Sequence, residues 1–159
     1  MDKDVFLKTY RPHLKVIFNS DKFLQDQTAV VNIKRFDRKQ YGRFLNPWYL
    51  NRSGGAANYD EREGHPIPVR EALRKLDRVG HADHVAKIEA LTELLKGDNG
   101  RVYDPLMPVV GVDKRQTHFV FDGNHRLCAA HEVSQPGIYV VLVESDIMTE
   151  LNPDFRLHS

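Results

Sequence analysis

The sequence is short of cysteine, of long apolar runs and of net charge, and each shortage excludes a class of protein. Cys128 is the only cysteine; it can form neither an internal disulfide nor a multi-cysteine metal site. No segment has the length of apolar residues that a membrane span or a signal peptide needs, so a cytoplasmic protein without a membrane partner is expected. The 23 Lys and Arg nearly balance the 22 Asp and Glu, for a formal charge of +1. That balance is neither the acidity of a disordered tail nor the basicity of a whole-chain nucleic-acid coat. Ten Gly and eight Pro are too few for a collagen or a low-complexity chain. What remains, 159 residues at 41% hydrophobic, is enough to build one core without staples.

The balance conceals an asymmetry. Residues 1–60 hold 11 Lys and Arg against 6 Asp and Glu, whereas residues 61–159 hold 12 against 16. The densest basic stretch carries Lys34, Arg35, Arg38, Lys39 and Arg43, interleaved with or followed by Phe36, Tyr41, Phe44, Trp48 and Tyr49. Cations that neutralise phosphates beside rings that stack on bases make this a candidate nucleic-acid surface. A solvated strand edge, followed by a loop whose aromatics pack on the core, is the commoner reading of such a segment.

Phe6, Tyr10, Leu14 and Phe18 recur every four residues, a helix face that Pro12 interrupts, so residues 1–27 are expected to form a helical extension. Thr28 to Phe36 is rich in β-branched residues and reads as a strand. Asn46 to Pro68 shifts to Asn, Gly, Pro and charge, which predicts a long irregular connection. Val69 to Val79 predicts a short helix, and Asp83 is placed to cap another that carries Val85, Ile88, Leu91 and Leu95 to Gly97. Met107 to Val112 and His118 to Phe121 then read as strands, Asn124 to Val133 as a helix with Leu127, Cys128 and Ala130 inward, and Ile138 to Val143 as a strand buried on both faces. The fold class expected is mixed α/β (α+β), a small sheet flanked by helices in one domain over residues 28–146, with a tail at 147–159.

Asp122-Gly123-Asn124-His125-Arg126 stands where a strand hands the chain to a helix. Such a corner exposes unpaired N–H groups and the positive end of the helix dipole, and it attracts anions. Gly123 permits a tight turn and close approach of a ligand, Asn124 adds an amide, and Arg126 offers a planar fork of donors. His125 is the residue suited to proton transfer near neutral pH, and Asp122 can accept a proton or bind magnesium. Together they read as a phosphate-handling corner, with Asp122 and His125 as the catalytic pair.

Phe121 to Ala130, FDGNHRLCAA, preceded by MPVVGV and followed by GIYVVLVE, resembles the signature of the ParB/sulfiredoxin-like superfamily. The resemblance covers residues 83–144 and extends to residues 28–36 as the opening strand. It implies that Gly123, Asn124, His125 and Arg126 hold the phosphates of a nucleoside di- or triphosphate such as ATP, ADP or CTP, with magnesium at Asp122. Asn124 stands where sulfiredoxins carry their cysteine, which speaks against that reaction. The turn is closest to the Asp-Gly-His-His-Arg of free-serine kinases, but Thr28 to Phe36 lacks the acid those kinases use. The resemblance therefore implies an NTPase or phosphotransferase. Its alternatives are a DNA-binding protein or nuclease of a phage or mobile element, and an interaction module without chemistry; a homo-oligomer is left open.

Lesser signals are histidines. His118, four residues before Asp122-Gly123-Asn124, echoes a Fic-type motif as its base, although alternating His118 to Phe121 reads as a strand. His81 and His84 read as exposed residues of a capping turn, His65 as a loop residue within reach of the phosphate corner, and His131 as a favourable cation near a helix C-terminus.

Overall fold

The computed structural model describes residues 1–14, 16–51, 53–57, 64–76, 80–97 and 106–153. The chain opens with α1 (Lys3–Tyr10), capped by the Asp2 carboxylate, and α2 (Ser20–Gln25), capped by Asn19. Strand β1 (Val30–Asp37) leads into α3 (Arg38–Tyr41), β2 (Leu45–Leu50), β3 (Ala56–Ala57) and β4 (His65–Pro68). Helices α4 (Ala72–Lys75) and α5 (Ala82–Gly97) follow. Then come β5 (Val109–Val112), β6 (His118–Asp122), α6 (Asn124–Glu132), β7 (Gly137–Glu144) and α7 (Met148–Leu151).

The strands form one mixed sheet in the order β1-β7-β5-β6-β2-β3, with β4 also paired to β2. β7 runs parallel to β5 and antiparallel to β1, while β6 is antiparallel to β5 and parallel to β2. Because side chains alternate along a strand, the apolar run of β7 divides between two cores. Val140 and Leu142 join Val110, Val120, Leu127, Val85 and Ile88 on the face covered by α5 and α6. Val141 and Val143 join Val109, Phe119 and Phe121 beneath Phe6, Phe23, Met148 and Leu151 of α1, α2 and α7. The mixed α/β class expected from the sequence is the class observed, and the expected burial of the last strand on both faces holds for Val140 to Val143, whereas Tyr139 is 58% exposed.

The first 27 residues form one layer of this core. α1 places Phe6 and Tyr10 inward and gives way to a 3-10 turn at Pro12, so Phe18 reaches the same cluster from beyond the helix. Phe18 packs on Phe6 at 6.2 Å and on Phe121 at 5.9 Å between ring centres. A polar latch closes the layer: Asp26 accepts hydrogen bonds from Ser145 and from the Thr28 hydroxyl, the latter at 2.7 Å, and Thr28 accepts from the Asp146 N–H at 3.0 Å.

Three local expectations change. Residues 46–68 are not irregular throughout, since Asn46 to Leu50 belong to β2 and His65 to Pro68 are β4. Polar composition misleads there: Asn46 is fully buried and its amide donates to the Ile67 carbonyl at 2.9 Å, stitching β2 to β4. Pro47 lacks an N–H, and the β2–β4 register shifts between Leu45 and Tyr49. The helix expected from Val69 is a 3-10 turn followed by α4, and residues 77–79 lie outside the described residues. α5 begins at Ala82, so Asp83 sits in its first turn and favours the dipole rather than capping it. Among the described residues, no helix is long and apolar enough to cross a membrane.

Gly111, in the middle of β5, lies under the Phe121 ring, and a Cβ there would stand 2.1 Å from Phe121 Cζ. Gly97 has open space at the same test. Gly111→Ala is expected to lower stability by about 1–3 kcal/mol through overpacking, read as a lower urea midpoint, against little change for Gly97→Ala. Equal midpoints for the two variants would contradict this packing.

Candidate functional site at the start of α6

The corner is built by one glycine. Gly123 has φ +90°, the left-handed region, and turns the chain from β6 into α6. Its missing side chain also lets Pro108 approach: a Cβ would lie 2.9 Å from Pro108 Cβ and 3.0 Å from Pro108 Cα. As N-cap, Gly123 supplies no side-chain oxygen, so the first turn of α6 has no side-chain cap.

Around this turn the residues singled out in the sequence divide into two groups. Asp122, buried at 8% exposure, faces Arg126 with Oδ2 3.6 Å from a guanidinium nitrogen, an ion pair longer than a hydrogen bond. Arg126 also donates to the Leu106 carbonyl. These two side chains therefore hold each other and the segment before β5, and the guanidinium fork is turned toward protein.

Asn124 and His125 form the other group. Asn124 is 4% exposed, and its Oδ1 is buried without a hydrogen-bond partner. An unpaired buried acceptor costs the desolvation of that group, about 1–3 kcal/mol, and such atoms are rare enough to need a reason. His125 Nε2 lies 3.0 Å from His84 Nδ1, with the rings stacked at 5.2 Å and 26°. Trp48 stacks on His84 at 4.4 Å and leans on His125 at 5.1 Å, and His81 stands 6.1 Å from His84. One imidazole of the pair donates and the other accepts. His84 is held below its ordinary pKa by burial first and then by His81 and Lys87, against Asp83.

The fold makes this cluster from distant segments. β2 continues the sheet beside β6, which carries Trp48 toward the start of α6. α5 packs against the same helix, sharing Val85, Ile88, Leu127 and Cys128 in one core. Hence His84 is half-buried and His81 is 7% exposed, which corrects the reading of both as exposed residues of a capping turn. The signal was present in the spacing: His84 falls on the helical stripe of Ile88, Leu91 and Leu95.

Other expected residues lie elsewhere. His65 is exposed on β4 opposite Leu50. His118 starts β6 within a β5–β6 hairpin, at the far end of the strand from Asp122. His131 ends α6, but burial, Arg38 and Arg70 depress its pKa; the cation at that helix end is Arg38, which donates to the His131 carbonyl at 2.9 and 3.1 Å. Arg38 is thus spent on the fold, Arg35 lies across Gly137, and the Lys34 ammonium stands 5.3 Å from the centre of the Phe36 ring. Lys39 and Arg43 are exposed. Cys128 is buried beside Asn46, and burial pushes its thiol up to about 12, which removes it as a nucleophile.

Among the described residues, no three His, Cys, Asp or Glu side chains are grouped to hold a metal. Asp122 offers one carboxylate, already faced by Arg126. These donors do not build a resident magnesium site, since magnesium on so few protein ligands is held mainly by phosphates.

Burial lowers the pKa of His84, His118 and His131 in the folded chain. Such groups bind protons more readily when unfolded, so their contribution to stability is present above about pH 6.5 and is lost as pH falls. The urea midpoint should therefore drop between about pH 7.5 and about pH 5, and His84→Gln should flatten the drop. A midpoint that stays level across that range would contradict the buried, neutral imidazoles.

Compared with known proteins, the chain matches no protein-family model and no curated protein sequence.

Proposed function

We propose that this chain is a ParB/sulfiredoxin-like domain that binds a nucleoside di- or triphosphate at the start of α6 and hydrolyses or transfers a phosphoryl group. The observation that carries this reading is the buried, unpartnered Oδ1 of Asn124, beside a helix N-terminus without a side-chain cap and next to the His84–His125 pair. A helix N-terminus favours phosphate charge. A carbonyl oxygen, being an acceptor, suits a ligand donor such as a ribose hydroxyl or the hydroxyl of the attacking group.

In the proposed reaction the terminal phosphoryl group is attacked by water or an acceptor hydroxyl. The oxygen–phosphorus bond forms, the bond to the bridging oxygen breaks, and the diphosphate leaves with its electron pair. The attacking group's proton passes to the neutral imidazole pair, with His125 as the contact and His84 as the partner that shares the charge. Trp48 stacks on His84, and burial lowers the His84 pKa, which favours its uncharged form before the reaction. Asp122 and Arg126 act as positioning residues that hold the turn. If magnesium takes part, it arrives on the phosphates and neutralises their charge.

The second reading, a nucleic-acid phosphate at the same corner, draws on exposed Lys39 and Arg43, with Arg38 engaged at the end of α6.

The test is a thermal-shift series with ATP, ADP, CTP and GTP, with and without magnesium, on wild type, Asn124→Ala and His125→Ala. A ligand at about 100 times its dissociation constant stabilises by about 2.7 kcal/mol, a rise of several degrees. The reading expects one nucleotide to give that rise in wild type and neither variant to keep it. A protein that melts cooperatively and shifts with none of them would sink the proposal.

A further inference from the structure

At the opposite end of β6 the structure has a second cleft, of about 280 Å³, between β1, α3, the start of β2 and the β5–β6 turn. Its floor is a cluster of rings that pack on one another, with Phe36 and Phe44 buried at 4% and 2% exposure and His118 half-buried. His118 lies parallel to Phe44 at 4.9 Å and 12°, and Phe36 meets both edge-on at 4.9 and 5.6 Å. Its rim is polar and includes Gln40, Arg43 and Thr117; among the described residues no carboxylate lines it.

The turn that presents His118 is tightly specified. Asp113 Oδ1 accepts the N–H groups of Arg115 at 3.0 Å and Thr117 at 2.9 Å, and the Asp113 carbonyl accepts that of Gln116 at 3.1 Å. Gln116 sits at φ +64°, a left-handed conformation that side chains resist. In this position its carbonyl is 3.0 Å from His118 Nδ1. A carbonyl can only accept, so Nδ1 carries the proton and Nε2 is left as an acceptor. Gln40 accepts the Asp37 N–H through Oε1 at 2.9 Å, which leaves its NH₂ as a donor. Burial lowers the His118 pKa, with its bond to Gln116 and the nearby Asp113 and Glu144 opposing and Lys34 adding to the effect.

The cleft thus combines a half-buried imidazole ring with its acceptor, an amide donor and an exposed guanidinium. A plain hydrocarbon ring would leave the acceptor and the amide unpaired in a partly dry site. A nitrogen heterocycle matches them, and the exposed cation calls for an anion attached to it. We infer that this cleft is a second binding site, taking one nucleotide unit with its base against the half-buried His118 ring, a base N–H donated to His118 Nε2, and its phosphate on Arg43. The site is separate from the start of α6 and stands whether or not that corner binds a nucleotide. Two sources share this chemistry: a free nucleoside monophosphate and a base of a single strand, for which exposed Lys39 and Arg43 would track the backbone.

The experiment titrates AMP, CMP, GMP, UMP and a short oligothymidylate into the protein and into Arg43→Ala. Both also carry His125→Ala, so that the α6 corner does not contribute. Isothermal titration reads affinity, and the ¹⁵N resonance of His118 Nε2 reads contact with the base. Arg43 is exposed, so unchanged melting is expected for its variant. Binding that shifts the His118 resonance and weakens about tenfold in Arg43→Ala supports the site. A bound mononucleotide then identifies a free ligand, and binding of the oligonucleotide alone, falling steeply with salt, identifies a strand. No binding of any probe, or binding that Arg43→Ala leaves unchanged, overturns the inference.

Discussion

Burial of β7 on both faces is the constraint from which the other parts of the molecule follow. Val140 to Val143 are at most 2% exposed, so each face of the sheet must be covered by something apolar. One cover is the N-terminal layer with α7, held through Phe6, Phe18 and Phe23; the other is α5 with α6. A parallel β5–β7 pair needs a covered crossover, and α6 lies within the connection from β6 to β7. The start of that helix consequently falls at the end of β6, next to the strand that brings Trp48 and the helix that brings His84.

The same burial sets the chemistry of the corner. His84, packed against Trp48 and His125, loses hydration that would stabilise its charged form, which lowers its pKa. Arg126 faces the buried Asp122 carboxylate and also binds the Leu106 carbonyl. The acid that reads as catalytic in the sequence and the guanidinium that reads as phosphate-binding are thus occupied with shaping the turn. The polar atom left over is the Asn124 carbonyl oxygen, and the groups able to move a proton beside it are His125 and His84.

Much of the central fold is legible in the sequence. The runs around Val110, Val120 and Val141 carry their strand character in β-branched residues, and Gly97 and Gly123 mark a helix end and a helix start. Residues 46–50 mislead because Asn46 and Pro47 look like loop residues, whereas the fold buries the asparagine as a link between strands. The corner itself is visible as five consecutive residues. Its partners are less so: His84 is 41 residues from His125, and only the packing of α5 on α6 brings the two rings together. The opposite error concerns the basic segment, where charge counts cannot show that Arg38 is tied to the end of α6.

The central claim is that His84 and His125 form the proton-accepting pair of a phosphate site. Its most direct measurement is ¹⁵N NMR of the imidazole nitrogens during titration with ATP and magnesium. The account predicts that the His84 Nδ1 and His125 Nε2 resonances move together and saturate with the nucleotide. Bound nucleotide that leaves both resonances where they were would contradict it.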